Sequence, residues 1–345
     1  MKFSNACKRG DPAASRLNLR AGRLSAFRGI DDIYGSHRNF RPSPRRSHTS
    51  SFHRAELARF RGRLHMPKAE RLTVANLTGL WRRSLLAWPD GRRDTATWVR
   101  WLQGPSFYID LRQPAGRPDF SAATGLDDLD LPQIAWLAGQ EGFAGELLFD
   151  DGFFEWRREV DFQLTATYSD RGSLCVVDGV MVEEGKDIPY IEHWHRDVAG
   201  VQPACAVRLE DPVQGCRGFI VRCGDIFMYA RGRNLSAPAG MSLIDCVADA
   251  PSAAVARSLV DCEISHGAIT AKGWRIDHSS LPFKEGLTLD PHLPPGRSNG
   301  IVVSDVDRSG RRIERRWMII DVQGSLRDLS GITGATVVPL REARS

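Results

Sequence analysis

Residues 98–114, WVRWLQGPSFYIDLRQP, constrain the fold more than any other stretch of this chain. Two runs rich in aromatic and β-branched residues flank Gln103-Gly104-Pro105-Ser106, a turn-type insert. That is how a β-hairpin reads in sequence. In the second run Phe107, Ile109 and Leu111 alternate with Tyr108, Asp110 and Arg112. One face is therefore apolar, and the other carries a phenol, a carboxylate and a guanidinium.

A degraded copy of this hairpin recurs near residue 220. Gly218-Phe219-Ile220-Val221-Arg222, the turn Cys223-Gly224-Asp225 and Ile226–Arg231 form strand, turn and return strand. Val99-Arg100 matches Val221-Arg222, and Gly104 with Phe107 matches Gly224 with Phe227. Upstream, Trp81 and Arg83 parallel Trp194 and Arg196; downstream, Trp156-Arg157 parallels Trp274-Arg275. Asp170-Arg171-Gly172 and Asp307-Arg308-Ser309-Gly310 mark a late turn in each half. The order is kept throughout, which argues for an internal duplication.

Between these landmarks run short strands ended by turns such as Asp90-Gly91 and Asp150-Asp151-Gly152, with little helix. The pattern predicts an all-β body of two tandem antiparallel barrels. A chain of 345 residues accommodates two such units, at 69–196 and 197–340. A short helix is expected at 251–259, with Pro251 in its first turn.

The front, 1–68, has no sustained period of 2 or 3.6 and reads as a disordered basic extension. Residues 1–65 carry a charge of +11 and the rest −6, so the overall +5 averages two unlike parts. A basic nucleic-acid arm and a transit peptide are both weighed for this segment. Its 13 Arg against two Lys, and a fresh Met66 before the patterned sequence, favour a true start at Met66. With the body mildly acidic, no nucleic-acid partner is expected.

Seven cysteines without a C-x-x-C, no apolar leader and no run of membrane-spanning length predict reduced thiols and a cytoplasmic location with no membrane partner.

Gly79-Leu80-Trp81, followed by Trp98-x-x-Trp101-Leu102-Gln103 with Tyr108-x-Asp110-x-Arg112, then Phe143-Ala144-Gly145 and Tyr190-x-Glu192-x-Trp194, resembles a two-domain lipocalin-like (calycin) family of yeasts and bacteria. The resemblance covers residues 71 to about 340 and implies a pair of small barrels with no established reaction. In lipocalin-like barrels the G-x-W tryptophan plugs one end under an arginine.

The candidate ligand-binding residues are Trp81, Arg83, Arg100, Tyr108, Asp110, Arg112, Glu192 and Trp194. Arg112, with Asp110 fixing its fork, suits a carboxylate or carbonyl-bearing ligand if Phe107, Ile109 and Leu111 pack outward. Cross-strand ion pairing on a wet face is the plainer reading. The tryptophans suit stacking on a flat ligand but serve equally as core. His193 and His195 share a strand face, yet His266, His278 and His292 stand at no recognisable metal spacing from them. No metal and no cofactor are expected, and no catalytic motif occurs. The leading expectation is a carrier of a small apolar or aromatic ligand in a barrel cavity. Its rivals are a calycin-type isomerase, cyclase or lyase using Tyr108, Asp110, Glu192 or His193/His195, and a protein-binding scaffold with filled barrels.

Overall fold

The computed structural model describes residues 72–164, 169–197, 201–233, 235, 241–294 and 299–329. The expectations for 1–68, the start at Met66 included, lie outside the described residues.

Turn chemistry sets the strand ends. Asp151 and Gly152 both have positive φ, 48° and 81°, the type I′ geometry whose twist matches the strands it joins. They connect β5 (Glu141–Asp150) to β6 (Phe153–Asp161). Asp178-Gly179, at 51° and 81°, does the same between β7 (Arg171–Val177) and β8 (Val180–Gly185). The hairpin at 98–114 forms as β3 (Trp98–Gln103) and β4 (Phe107–Gln113), with Trp101 opposite Asp110. A Cβ on Gly104, in its turn, would meet the Phe107 carbonyl oxygen at 3.0 Å and Val221 Cγ1 at 3.1 Å. Glycine there lets the second unit approach the hairpin tip.

β1 (Gly79–Ala87) pairs with β3 on one side and with β9 (Ile191–Arg196) on the other. The order β1-β3-β4-β5-β6-β7-β8-β9 thus closes on itself as an eight-stranded antiparallel barrel. The two-residue β2 (Arg93–Asp94) sits on β1.

The second sheet comprises β10 (Ala204–Glu210), β11 (Arg217–Cys223), β12 (Ile226–Arg231), β13 (Glu263–Thr270), β14 (Gly273–Ser279), β15 (Gly300–Val306) and β16 (Arg312–Gln323). Its order is β14-β13-β12-β11-β10-β16-β15, a curled half-barrel. Its two edges are bridged by the segment 287–292. Ile276 N–H donates to the Leu287 carbonyl at 2.9 Å, and Ser304 N–H donates to the Leu289 carbonyl at 2.7 Å.

Both units place helix after the third barrel strand. α1 (Leu131–Ala138) lies between β4 and β5; α2 (Leu243–Ala248) and α3 (Ala253–Leu259) lie between β12 and β13. In each unit the last strand returns to the first, β9 to β1 and β16 to β10. The expected helix at 251–259 begins after Ser252, whose Oγ accepts from Val255 N–H at 3.3 Å, so Pro251 precedes the cap.

This shared order carries the repeat better than some of the residue matches do. Trp156 and Trp274 both point inward from the fifth barrel strand of their unit. Phe107 and Phe227 do not correspond. Phe107 packs between the units and Phe227 inside the second one, the reversal a one-residue slip produces. Trp194 closes the first barrel rather than opening the second unit.

The largest core lies between the units. Leu80, Leu102, Phe107, Ile109 and Leu111 point out of the first barrel onto Ala206, Phe219, Val221, Met228, Ala230 and Ile264. The Phe107 and Phe219 rings meet edge to face at 5.5 Å. Ile134, Leu137, Leu243, Val247 and Ala256 of the helices extend the same core. Because this apolar set faces the second unit, the alternate set must face the barrel interior.

Candidate functional site

The interior of the first barrel has an aromatic part and a charged part. In the aromatic part Trp101 is the hub. Its ring lies 6.0 Å from Trp81, 5.7 Å from Trp156 and 5.5 Å from Trp194, stacked on the first and edge-on to the other two. Trp81 Nε1 donates to the Leu77 carbonyl at 2.7 Å, which ties the ring to the turn Val74–Leu77. Arg196 covers it, with Cζ 4.7 Å from the ring centre. Trp81 therefore sits as a covered plug, and together the four indoles fill this part of the barrel.

The charged part is built on β1, β4, β8 and β9. Arg83 is buried and bonds Glu192 at 2.6 Å and Asp94 at 2.8 Å. Arg112 reaches Asp110 through Nε at 2.8 Å and Glu192 through Nη1 at 3.3 Å, with Glu141 at 3.9 Å. Burial opposes the charge of Arg112, but Asp110, Glu192 and Glu141 outweigh it and hold the guanidinium firmly protonated. Burial raises the Asp110 carboxyl, and Arg112 offsets only part of that rise.

Glu183 stands directly across from Glu192 in the β8–β9 ladder. It accepts from Tyr190 Oη at 2.6 Å and from Trp194 Nε1 at 3.0 Å. Burial, then the charges of Glu192 and Asp170, push its carboxyl well above the usual range. Arg158 pairs with Asp161 at 3.0 Å and Asp170 at 2.5 Å while lying 3.6 Å from the Phe143 ring centre. Tyr108 lies among these groups, wholly buried, and its hydroxyl has no hydrogen-bond partner. Burial raises its phenol far above the ordinary value, so the hydroxyl keeps its proton and is available as a donor.

The raised Glu183 carboxyl makes stability depend on pH with a definite sign. A carboxyl raised on folding contributes stability that is present below its unfolded value and lost as pH climbs through the folded one. The melting temperature is therefore expected to fall as pH climbs above the ordinary carboxylate range, and to fall less in Glu183→Gln. Thermal denaturation at a series of pH values above that range checks this; parallel profiles for the two proteins would refute it.

Of the residues singled out in the sequence, Trp81, Arg83, Tyr108, Asp110, Arg112, Glu192 and Trp194 converge in this interior. Arg100 does not. It points out of the barrel with Trp98 and Leu102, stacks 4.9 Å from the Trp98 ring and faces Asp197 at 3.6 Å. His193 and His195 lie on the outer face of β9, alternating with inward Glu192 and Trp194, and His195 Nε2 bonds Ser84 Oγ at 2.8 Å. They are therefore not placed for acid–base work inside the barrel.

Sequence reasoning missed Glu183, Tyr190, Arg158, Asp161 and Asp170. The signal for Glu183 was Asp178-Gly179, whose tight turn starts β8 and sets which of its residues face inward.

Two surface clefts lie elsewhere. One, of about 370 Å³, is lined by Arg117, Phe120, Pro282, Phe283 and Glu285; the other, of about 530 Å³, by Asn76, Pro105, Arg196, Gln202 and Ala204. Among the described residues no helix is long and apolar enough to cross a membrane.

No protein-family model matches the chain, and no curated protein matches it. Among solved structures, an uncharacterized protein from Saccharomyces cerevisiae aligns with 71% of this chain and 98% of its own, at 12% identity and a TM-score of 0.43.

Proposed function

We propose that this chain binds a small ligand inside its first barrel, next to Tyr108. The barrel fold is compatible with ligand binding. The observation that carries the reading is the Tyr108 hydroxyl, a proton-bearing donor buried without a partner among Phe143, Arg158 and the Asp110–Arg112 pair. Most buried hydroxyls are paired, because leaving one bare costs about 1–3 kcal/mol. The ligand this donor suits has an aromatic or apolar body, for the Phe143 and tryptophan rings, and one hydrogen-bond acceptor. An anionic anchor on Arg112 is disfavoured, since Asp110 and Glu192 already hold its guanidinium.

A filled-barrel scaffold is the second reading, favoured by the packed indoles around Trp101. Native mass spectrometry of the purified full chain separates the two. A ligand-binding protein carries a small-molecule adduct that Tyr108→Phe loses, while the two proteins freed of ligand melt at the same temperature. A wild-type protein that carries no adduct, and whose melting temperature no small aromatic acceptor raises, would leave the scaffold standing.

A further inference from the structure

The outer face of the second sheet carries a row of soft and borderline metal ligands where it meets the first barrel. Met228, His266 and His278 are direct cross-strand partners on β12, β13 and β14. Side chains directly opposite across a ladder have Cβ atoms about 4.5–5.5 Å apart. All three face the first barrel. Met228 belongs to the core between the units, and both imidazoles contact Trp98 of β3. Trp98 stacks on His278 at 4.2 Å and meets His266 edge-on at 5.8 Å.

Polar satisfaction marks this row out. His266 is only 9% exposed, yet neither of its ring nitrogens has a hydrogen-bond partner, and His278 Nδ1 has none either. Orphaned imidazole nitrogens at one buried place are costly, and each neutral ring has one lone pair that an ion can take. The ring centres of His266 and His278 are 6.2 Å apart. That is within the span of two imidazoles sharing one ion, since each needs only about 2.0–2.1 Å from nitrogen to metal.

We infer that Met228, His266 and His278 form a binding site for a soft monovalent metal ion, cuprous copper, roofed by Trp98. The ligand chemistry selects the ion. A thioether is a poor ligand for the harder divalent cations and a good one for Cu(I), and imidazole accepts copper as readily as zinc. The wide separation of the imidazoles suits an ion content with two or three ligands. The surrounding charges are balanced, with Arg100 and Arg117 set against Asp277 and Glu285. The site lies outside the first barrel, and binding there involves no change of oxidation state.

Titrating the full chain against the Cu(I)–bicinchoninate complex, under ascorbate and without oxygen, tests the assignment. Accessible thiols are alkylated first, because Cys175 is exposed and is itself a soft ligand. The folded protein is expected to take up one Cu(I) per chain and to quench Trp98 fluorescence as it does so. Met228→Leu keeps the packing volume, and His278→Gln removes a half-buried imidazole. Each is expected to weaken Cu(I) binding at least about tenfold with the melting temperature of the metal-free protein unchanged. Failure to take copper from bicinchoninate would overturn the inference. So would unchanged uptake by the Met228→Leu, His278→Gln double variant, or retention of Zn(II) with no uptake of Cu(I).

Discussion

Replacing Arg83 by alanine is expected to lower the stability of the folded chain by about 3–5 kcal/mol. Arg83 and Glu192 are 2.6 Å apart with side chains 4% and 3% exposed, so neither partner has water to fall back on. The pair contributes little net energy compared with a well-packed apolar pair, because burial costs each ion much of its hydration. Removing one member is a different matter. Glu192 would remain buried directly opposite Glu183, with only the longer contact to Arg112 at 3.3 Å to compensate it. Asp94, at 2.8 Å from Arg83, would lose its ion-pair partner and keep the Ala96 and Thr97 N–H groups. Urea denaturation of wild type, Arg83→Ala, and Arg83→Met combined with Glu192→Gln separates these effects. The double variant removes both charges and is expected to recover a large part of the loss. An Arg83→Ala protein within about 1 kcal/mol of wild type would show that water reaches the pair and that the charged layer is not truly interior.

The same network revises what Arg112 can report. The alternation in 98–114 places Arg112 inside if Phe107, Ile109 and Leu111 face outward, and they do, against the second unit. An anchor free to meet a ligand could be removed with little effect on stability. Arg112 is instead bound to Asp110 and Glu192, so its removal disturbs the fold and any ligand together. Tyr108→Phe is the cleaner probe, because it deletes one unpaired oxygen and nothing else.

Period-2 alternation was legible in the sequence wherever a strand buries both of its faces against different neighbours. β4 is the clearest case: alternation put Tyr108, Asp110 and Arg112 on one face, while Trp81 was singled out by the G-x-W resemblance. Cross-strand partnership was not legible. Glu183 meets Glu192, and His266 meets His278, only because of particular turn lengths and bulges. One such bulge falls between His266 and Gly267, another between Ala144 and Gly145. Each shifts register by a residue, and hairpin spacing gives no notice of it. The same limit misaligned Phe107 with Phe227. α1 was missed for another reason. Asp130 and Gln133 form a reciprocal capping box, with Asp130 Oδ1 accepting from Gln133 N–H at 2.8 Å and Pro132 in the first turn. That signal was present in the sequence but lay among short strands expected to be joined with little helix.

Trp101→Ala is expected to cost about 3–5 kcal/mol, the range for deleting a large aromatic side chain from a packed core. Trp101 is 1% exposed and is the ring that Trp81, Trp156 and Trp194 all touch. Its removal takes away the shared contact of three other indoles, and those are held in place. Trp81 is tied to the Leu77 carbonyl and Trp194 to Glu183, so neither can collapse into the space without breaking a buried hydrogen bond. A hole lined by aromatic carbon should therefore persist, and such holes take up small aromatic molecules. Adding indole to Trp101→Ala is expected to restore part of the lost melting temperature while leaving wild type unaffected. This outcome also bears on where a natural ligand sits. If indole raises the melting temperature of wild type as much as that of the variant, the aromatic part already holds usable room, and the ligand belongs there rather than beside Tyr108. If it rescues only the variant, the indoles fill their part of the barrel, and the unpaired phenol of Tyr108 is the feature left for a ligand to satisfy.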